Sequence, residues 1–158
     1  ISPIVAALLT KPVVNTGVPS STTYMAASAA LRWQPADECR RISRPVSRRT
    51  LRICPIIAYY LDLGERRGVW TWRVGDLTKL VRIADCETAS GTDFYNNSSR
   101  ATGWFQHLPR YWPERGRKAA RALGFDNPTI GMAYDNVAVG VWLYKTQGAG
   151  HWPRCGRR

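Results

Sequence analysis

Between Asp76 and Gln106 the chain reads as one amphipathic helix that carries a carboxylate on its apolar side, followed by a polar loop. Leu77, Leu80, Val81 and Ala84 recur at helical spacing and define a single buried face. Asp76, after Gly75, is the expected N-cap. Glu87 falls on the same face, one turn beyond Ile83 and Ala84. A carboxylate there is costly unless it is paired or stays protonated, so whatever packs around it must do one or the other. Ser90-Gly91 is expected to stop the helix, because glycine takes the left-handed conformation without steric cost. The segment Thr92–Thr102 is rich in Asn and Ser and leads into Gly103-Trp104-Phe105-Gln106. One acid at a helix end, facing aromatic and amide side chains, suits glycosidic cleavage. An acid that only caps or solvates the helix end fits the same pattern.

At 158 residues there is room for one core and a smaller appended segment. No apolar run approaches the ~20 residues of a membrane span, so no transmembrane segment is expected. The balance of 23 Lys and Arg against 11 Asp and Glu, a net charge of +12, points to a polyanionic partner: nucleic acid, anionic lipid or an anionic cell wall. Cys39, Cys54, Cys86 and Cys155 are spaced too widely for a zinc ribbon, and only His107 and His151 supply imidazole. Neither a metal nor another cofactor is therefore expected. An even cysteine count in a small basic chain implies two disulfides and an oxidising, secreted destination; four buried free thiols in a cytosolic protein are the alternative.

In chain order, residues 1–30 contain a short apolar run, Ile4–Leu9, and a small-residue triplet, Ala27-Ser28-Ala29. Pro12, Asn15, Gly17 and Pro19 separate them too far for an ordinary signal peptide, so an extended arm is expected, with a processing remnant as the lesser option. Residues 31–68 read as a basic helical extension. A short helix starting at Ala36 or Asp37 runs to Arg41, Pro45 interrupts it, and Ile56–Leu63 forms a second helix stopped by Gly64. Cys39 and Cys54 bracket the basic loop, and a bridge between them would hold it against the body. Its arginines lack interleaved aromatics and any helix-turn-helix or RNA-binding signature, which reads as a solvated face and not a specific nucleic-acid site.

Residues 69–158 form the third unit. Pro113 opens a helix to Leu123 with Gly124 as its stop, and Asn127-Pro128 is the expected cap and first turn of the last helix. Ile130, Ala133, Val137, Val141 and Tyr144 make that helix's core stripe, and Gly148 ends it. Gly131 and Gly140 inside it cost about 1 kcal/mol each relative to Ala, which makes sense where a backbone or a ligand comes close. Asn136, one turn before Gly140, either faces a cleft or is a satisfied buried amide.

The order Cys86-Glu87, Asn97-Ser98-Ser99 with Ala101, Gly103-Trp104-Phe105-Gln106, then Asn136-Val137 with Gly140, resembles lysozyme-like lytic transglycosylase domains. The ending Gly148-Ala149-Gly150-His151-Trp152 with Cys155 is similar to such domains of the soluble lytic transglycosylase type in actinobacteria and their phages. The resemblance runs from Trp70 to Cys155. Thr88 stands where the family usually has Ser after the acid, and no Ala-Tyr-Asn motif follows the last helix. It implies an α+β, mainly helical, lysozyme-like fold with a cleft for peptidoglycan glycan strands, preceded here by the basic extension.

By that resemblance Glu87 is the catalytic acid, giving its proton to the oxygen between N-acetylmuramic acid and N-acetylglucosamine. Gln106 and Asn136 are expected to hold sugar hydroxyls or acetamido groups, and Trp104 and Tyr144 to stack on ring faces. Asp93 is the one nearby candidate for a second carboxylate of the lysozyme kind; a lytic transglycosylase needs none, because the sugar's own 6-hydroxyl attacks. Cys86 adjoins the acid and Cys155 closes the chain, so these two are expected to be bridged. The expected partners are glycan strands and anionic wall polymers, and the expected location is secreted or wall-associated, including a phage virion or endolysin. Two other classes stay open: a wall-binding or virion structural component without turnover, and a basic nucleic-acid binder.

Overall fold

The structure, a computed structural model, describes residues 35–42 and 46–157. The arm 1–30 and the break at Pro45 lie outside the described residues. The described chain is mainly helical: α1 (Pro35–Arg41), α2 (Arg48–Leu51), α3 (Cys54–Arg66), α4 (Val74–Glu87), α5 (Trp112–Leu123) and α6 (Ala133–Gln147), with 3-10 turns at Pro109–Tyr111 and Ala149–His151. Among the described residues, β structure is confined to two isolated antiparallel bridges, Tyr95 with Thr102 and Thr102 with His107.

At the centre lies α6. Every residue from Asn136 to Leu143 is buried, so this helix presents an apolar surface on all sides, and it packs against α3 and α5. It starts at Ala133, later than Asn127-Pro128 suggests. Pro128 belongs to the preceding bend, where its carbonyl accepts the Trp112 indole N–H at 3.0 Å. The Asp135 carboxylate in the first turn of α6 accepts the Thr129 N–H at 2.7 Å, which fixes the entry. Gly131 therefore sits outside the helix, whereas Gly140 is inside it and faces Phe105: a Cβ there would overlap the Phe105 ring.

The first turn of α3 holds Pro55, whose missing N–H costs nothing there. This helix buries Ile57, Ala58, Tyr60 and Leu61 and runs through Gly64 without stopping. The reason is Trp70. Its indole lies where a Cβ at Gly64 would be and donates to the Leu61 carbonyl at 2.9 Å, so the glycine serves packing. The Pro113 and Gly124 signals describe α5 correctly, with Gly124 in the left-handed conformation at φ 75°.

Two disulfides are present, Cys39–Cys54 and Cys86–Cys155. One apolar core runs from Cys39 and Ile42 through α3, α4, α5 and α6 to Trp152 and Cys155. Helix α3 is as deep in it as α6, so no packing boundary falls at residue 68.

Candidate functional site

Leu77, Leu80, Val81, Ile83 and Ala84 bury one face of α4 completely. The helix begins at Val74, so Asp76 lies in its first turn and Arg73 is the cap. The Asp76 carboxylate reaches back to the Arg73 N–H at 3.0 Å and also accepts the Lys145 ammonium at 2.9 Å and the Tyr144 hydroxyl at 3.2 Å. Burial works against ionising Asp76, but these hydrogen bonds outweigh it and hold its carboxyl below the usual range. Tyr144 is pushed up to about 12 by burial and by the adjacent carboxylate. Asp76 and Glu87 mark opposite ends of α4, about 16 Å apart at helical rise. Tyr144 is thus tied to the wrong end of the helix to stack on a sugar at Glu87.

Glu87 is the last residue of α4 and is half-buried. Burial pushes its carboxyl above the usual carboxylate range, opposed by the positive charge of Arg154. No described residue donates a hydrogen bond to it. The following turn is tightly wound. The Thr88 hydroxyl donates to the Ala84 carbonyl at 2.7 Å and accepts the Gly91 N–H at 3.0 Å. Ala89, Ser90 and Gly91 then take positive φ in succession (45°, 65° and 76°), two of them residues for which that conformation is unfavourable. Such backbone strain next to a partly desolvated acid is held in place from the N-terminal side. Ser47 donates its hydroxyl to the Ser90 carbonyl at 2.8 Å, while Asp85 Oδ1 accepts the Thr50 hydroxyl at 2.7 Å and the Ser47 N–H at 3.0 Å.

From the same turn the polar loop leaves. The Thr88 carbonyl accepts the N–H groups of Thr92 and Asp93, both at 2.9 Å, and the Phe94 carbonyl accepts the Gly103 N–H at 2.8 Å. The Phe94 ring meets the Trp104 ring edge-on, with centroids 4.6 Å apart. Phe94 and Tyr95 are 39% and 50% exposed. Sequence reading passed over both, although two aromatics in an otherwise polar loop are a legible signal. Gln106 holds a positive φ of 47° and donates its amide to the Gly103 carbonyl at 3.0 Å. Its amide oxygen accepts nothing from the described residues. Asp93 is exposed and accepts the Tyr95 N–H at 3.3 Å.

Asn136 takes the buried alternative. Fully buried, its Oδ1 accepts the Phe105 N–H at 3.0 Å, and its Nδ2 donates to the carbonyls of Thr102 and Ile130, both at 2.9 Å. It has nothing left for a sugar and instead holds the Gly103–Gln106 turn on α6. The Trp152 indole N–H donates to the Phe105 carbonyl at 2.9 Å, so both backbone groups of Phe105 are gripped from the C-terminal half. His107, 2% exposed, donates Nε2–H to the Asn136 carbonyl at 3.1 Å. Burial lowers its pKa to about 3, so it is a neutral structural imidazole.

Glu87 is therefore bracketed. On one side Cys86 ties it to Cys155 and hence to Trp152 and Phe105; on the other, Thr88 anchors the loop that carries Phe94, Trp104 and Gln106. Arg154 arrives beside Glu87 through the disulfide, and no local sequence pattern announces it. Among the described residues, no three His, Cys, Asp or Glu side chains gather as a metal site would require. The chain matches no protein-family model, no curated protein and no solved structure.

Proposed function

We propose that this protein cleaves the N-acetylmuramic acid–N-acetylglucosamine bond of peptidoglycan on a lysozyme-like fold, with Glu87 as the single acid and base of a lytic transglycosylase. The observation that carries the reading is a half-buried carboxyl, raised by burial and free of hydrogen bonds from the described residues, at the root of a loop bearing aromatic and amide groups. A raised carboxyl keeps its proton closer to neutral pH and can give it to the glycosidic oxygen. The resulting carboxylate is steadied by Arg154 and then takes the proton of the muramyl 6-hydroxyl as that oxygen closes on C1. The products are a free 4-hydroxyl and a 1,6-anhydro end, with no water consumed.

Trp104, Phe94 and Tyr95 offer ring faces and edges to the sugars, and the Gln106 amide oxygen offers an acceptor to a hydroxyl or an acetamido N–H. Asp93 is exposed and engaged with its own loop, which favours one carboxylate over a lysozyme pair. The two disulfides and the basic surface fit a secreted, wall-associated enzyme, of bacterial or phage origin, that adheres to anionic wall polymers. Mass spectrometry of the muropeptides released from purified walls tests the reading. Anhydro ends are expected; reducing ends would reassign the chemistry to hydrolysis. Wall binding with no products at all would leave a non-catalytic wall-binding protein.

A further inference from the structure

Glu87 lies between two residues, Asp85 and Ser90, that are tied to each other and to a segment distant in the sequence. The Asp85 carbonyl accepts the Ser90 N–H at 2.7 Å, the Ser90 carbonyl accepts the Ser47 hydroxyl at 2.8 Å, and the Ser47 N–H returns to Asp85 Oδ1 at 3.0 Å. These bonds close a ring through the end of α4, the turn after it and the start of α2. Thr50 completes the grip. It is fully buried, its hydroxyl donates to the same Oδ1 at 2.7 Å, and a Cβ at Gly91 would lie 3.3 Å from that hydroxyl.

Ala89 and Ser90 hold positive φ without being glycines. Such backbone persists only where its surroundings over-determine it, and relaxes when they let go. Asp85 supplies the restraint from the side of α4, and Ser47 and Thr50 supply it from the side of α2. The charge that bears on Glu87 comes from Arg154 in the tail, so the ring reaches the acid through the backbone it fixes. An acid misplaced by about 1 Å can lose on the order of 10²-fold in rate.

We propose that Asp85 is a positioning residue for Glu87, which it holds, together with Ser47 and Thr50, in the half-buried direction that acid catalysis needs. The proposal rests on the reading of Glu87 as the acid. It makes the segment before α3 part of the catalytic apparatus, although in sequence that segment reads as a solvated basic face.

Turnover of a soluble glycan fragment, measured per folded molecule, and an NMR titration of the Glu87 carboxyl carbon test this on the whole chain. Asp85→Ala and Thr50→Val should each lower kcat by about 10–10²-fold and leave KM within about two-fold of wild type. In both, the Glu87 carboxyl should titrate closer to an ordinary carboxylate as the turn opens to water. Asp85→Asn removes the carboxylate but keeps an oxygen acceptor for Ser47 and Thr50, so it should retain most of the activity and the raised titration. Thr50→Val alters no charge, and it carries the same test if Asp85→Ala does not fold. Wild-type kcat with an unmoved Glu87 titration in Thr50→Val would overturn the proposal, as would Asp85→Asn proving as damaging as Asp85→Ala. Failure of the glycan reading would show separately, as a wild type that releases no muropeptides. The carboxyl titration needs no turnover and would then decide on its own whether Asp85 and Thr50 fix Glu87.

Discussion

Replacing Glu87 by Gln preserves the shape of the side chain and removes the proton. Wall lysis should fall by about 10²–10⁴-fold, and Asp93→Asn, the matched control, should keep most of the activity; zymography on purified walls reads both. The same substitution carries a stability signature. Burial raises the Glu87 pKa in the folded state, so the folded chain holds that proton more tightly than the unfolded one, and stability is lost as pH rises through the carboxylate range. Glu87→Gln should therefore be the more stable protein at neutral pH, and the gain should vanish in acid below the unfolded pKa. Asn136 predicts the reverse pattern. Asn136→Ala removes the partners of the Phe105 N–H and the Ile130 carbonyl, at about 1–3 kcal/mol each, and leaves the Thr102 carbonyl only its bond from the His107 N–H, so denaturant midpoints should drop sharply. A variant with normal stability and only weakened substrate binding would restore Asn136 to the cleft.

At the scale of elements, the Cys86–Cys155 bridge closes 69 residues and is worth about 4 kcal/mol by the chain-entropy argument. The Cys86→Ser, Cys155→Ser double variant should lose about that much stability in chemical denaturation. It should also free Trp152 from Phe105, visible as a change in indole fluorescence. Both pairings were legible, because one follows from the basic loop between Cys39 and Cys54 and the other from a cysteine beside the acid. The face of α4 was legible for the same kind of reason: helical spacing is local. What escaped was set by distant partners. Gly64 reads as a stop until Trp70 lies across it, and Asp76 reads as a cap until Lys145 and Tyr144 reach it from α6. Tyr144 and Asn136 resemble sugar contacts in a one-dimensional pattern, yet tertiary packing commits one to a salt-bridged carboxylate and the other to the interior. Phe94 and Tyr95 were legible as residues, but their pairing with Trp104 needed the loop's path.

For the molecule as a whole, His107 sets the acid limit. Its pKa is lowered to about 3 by burial, against an ordinary value near 6.5, so the unfolded chain binds that proton first as pH falls. Stability from this residue is complete above about 6.5 and is lost progressively as pH falls toward 3. Replacing His107 with a non-titrating side chain should flatten the fall in Tm across that window, even if the variant starts lower. The basic surface predicts a salt effect: neutralising Arg48, Arg49, Arg117 and Arg121 together should weaken wall adhesion mainly at low salt, while turnover of a soluble fragment holds. The longer disulfide has one more consequence for a protein exposed to proteases. It joins the end of α4 to the C-terminal tail, so every peptide bond from Glu87 to Arg154 lies inside a covalent ring. The exposed segment 92–100 is its most accessible stretch, and a protease that nicks it once opens the ring without releasing a fragment. Such a clipped molecule keeps its full mass on a non-reducing gel and separates into two pieces only after reduction.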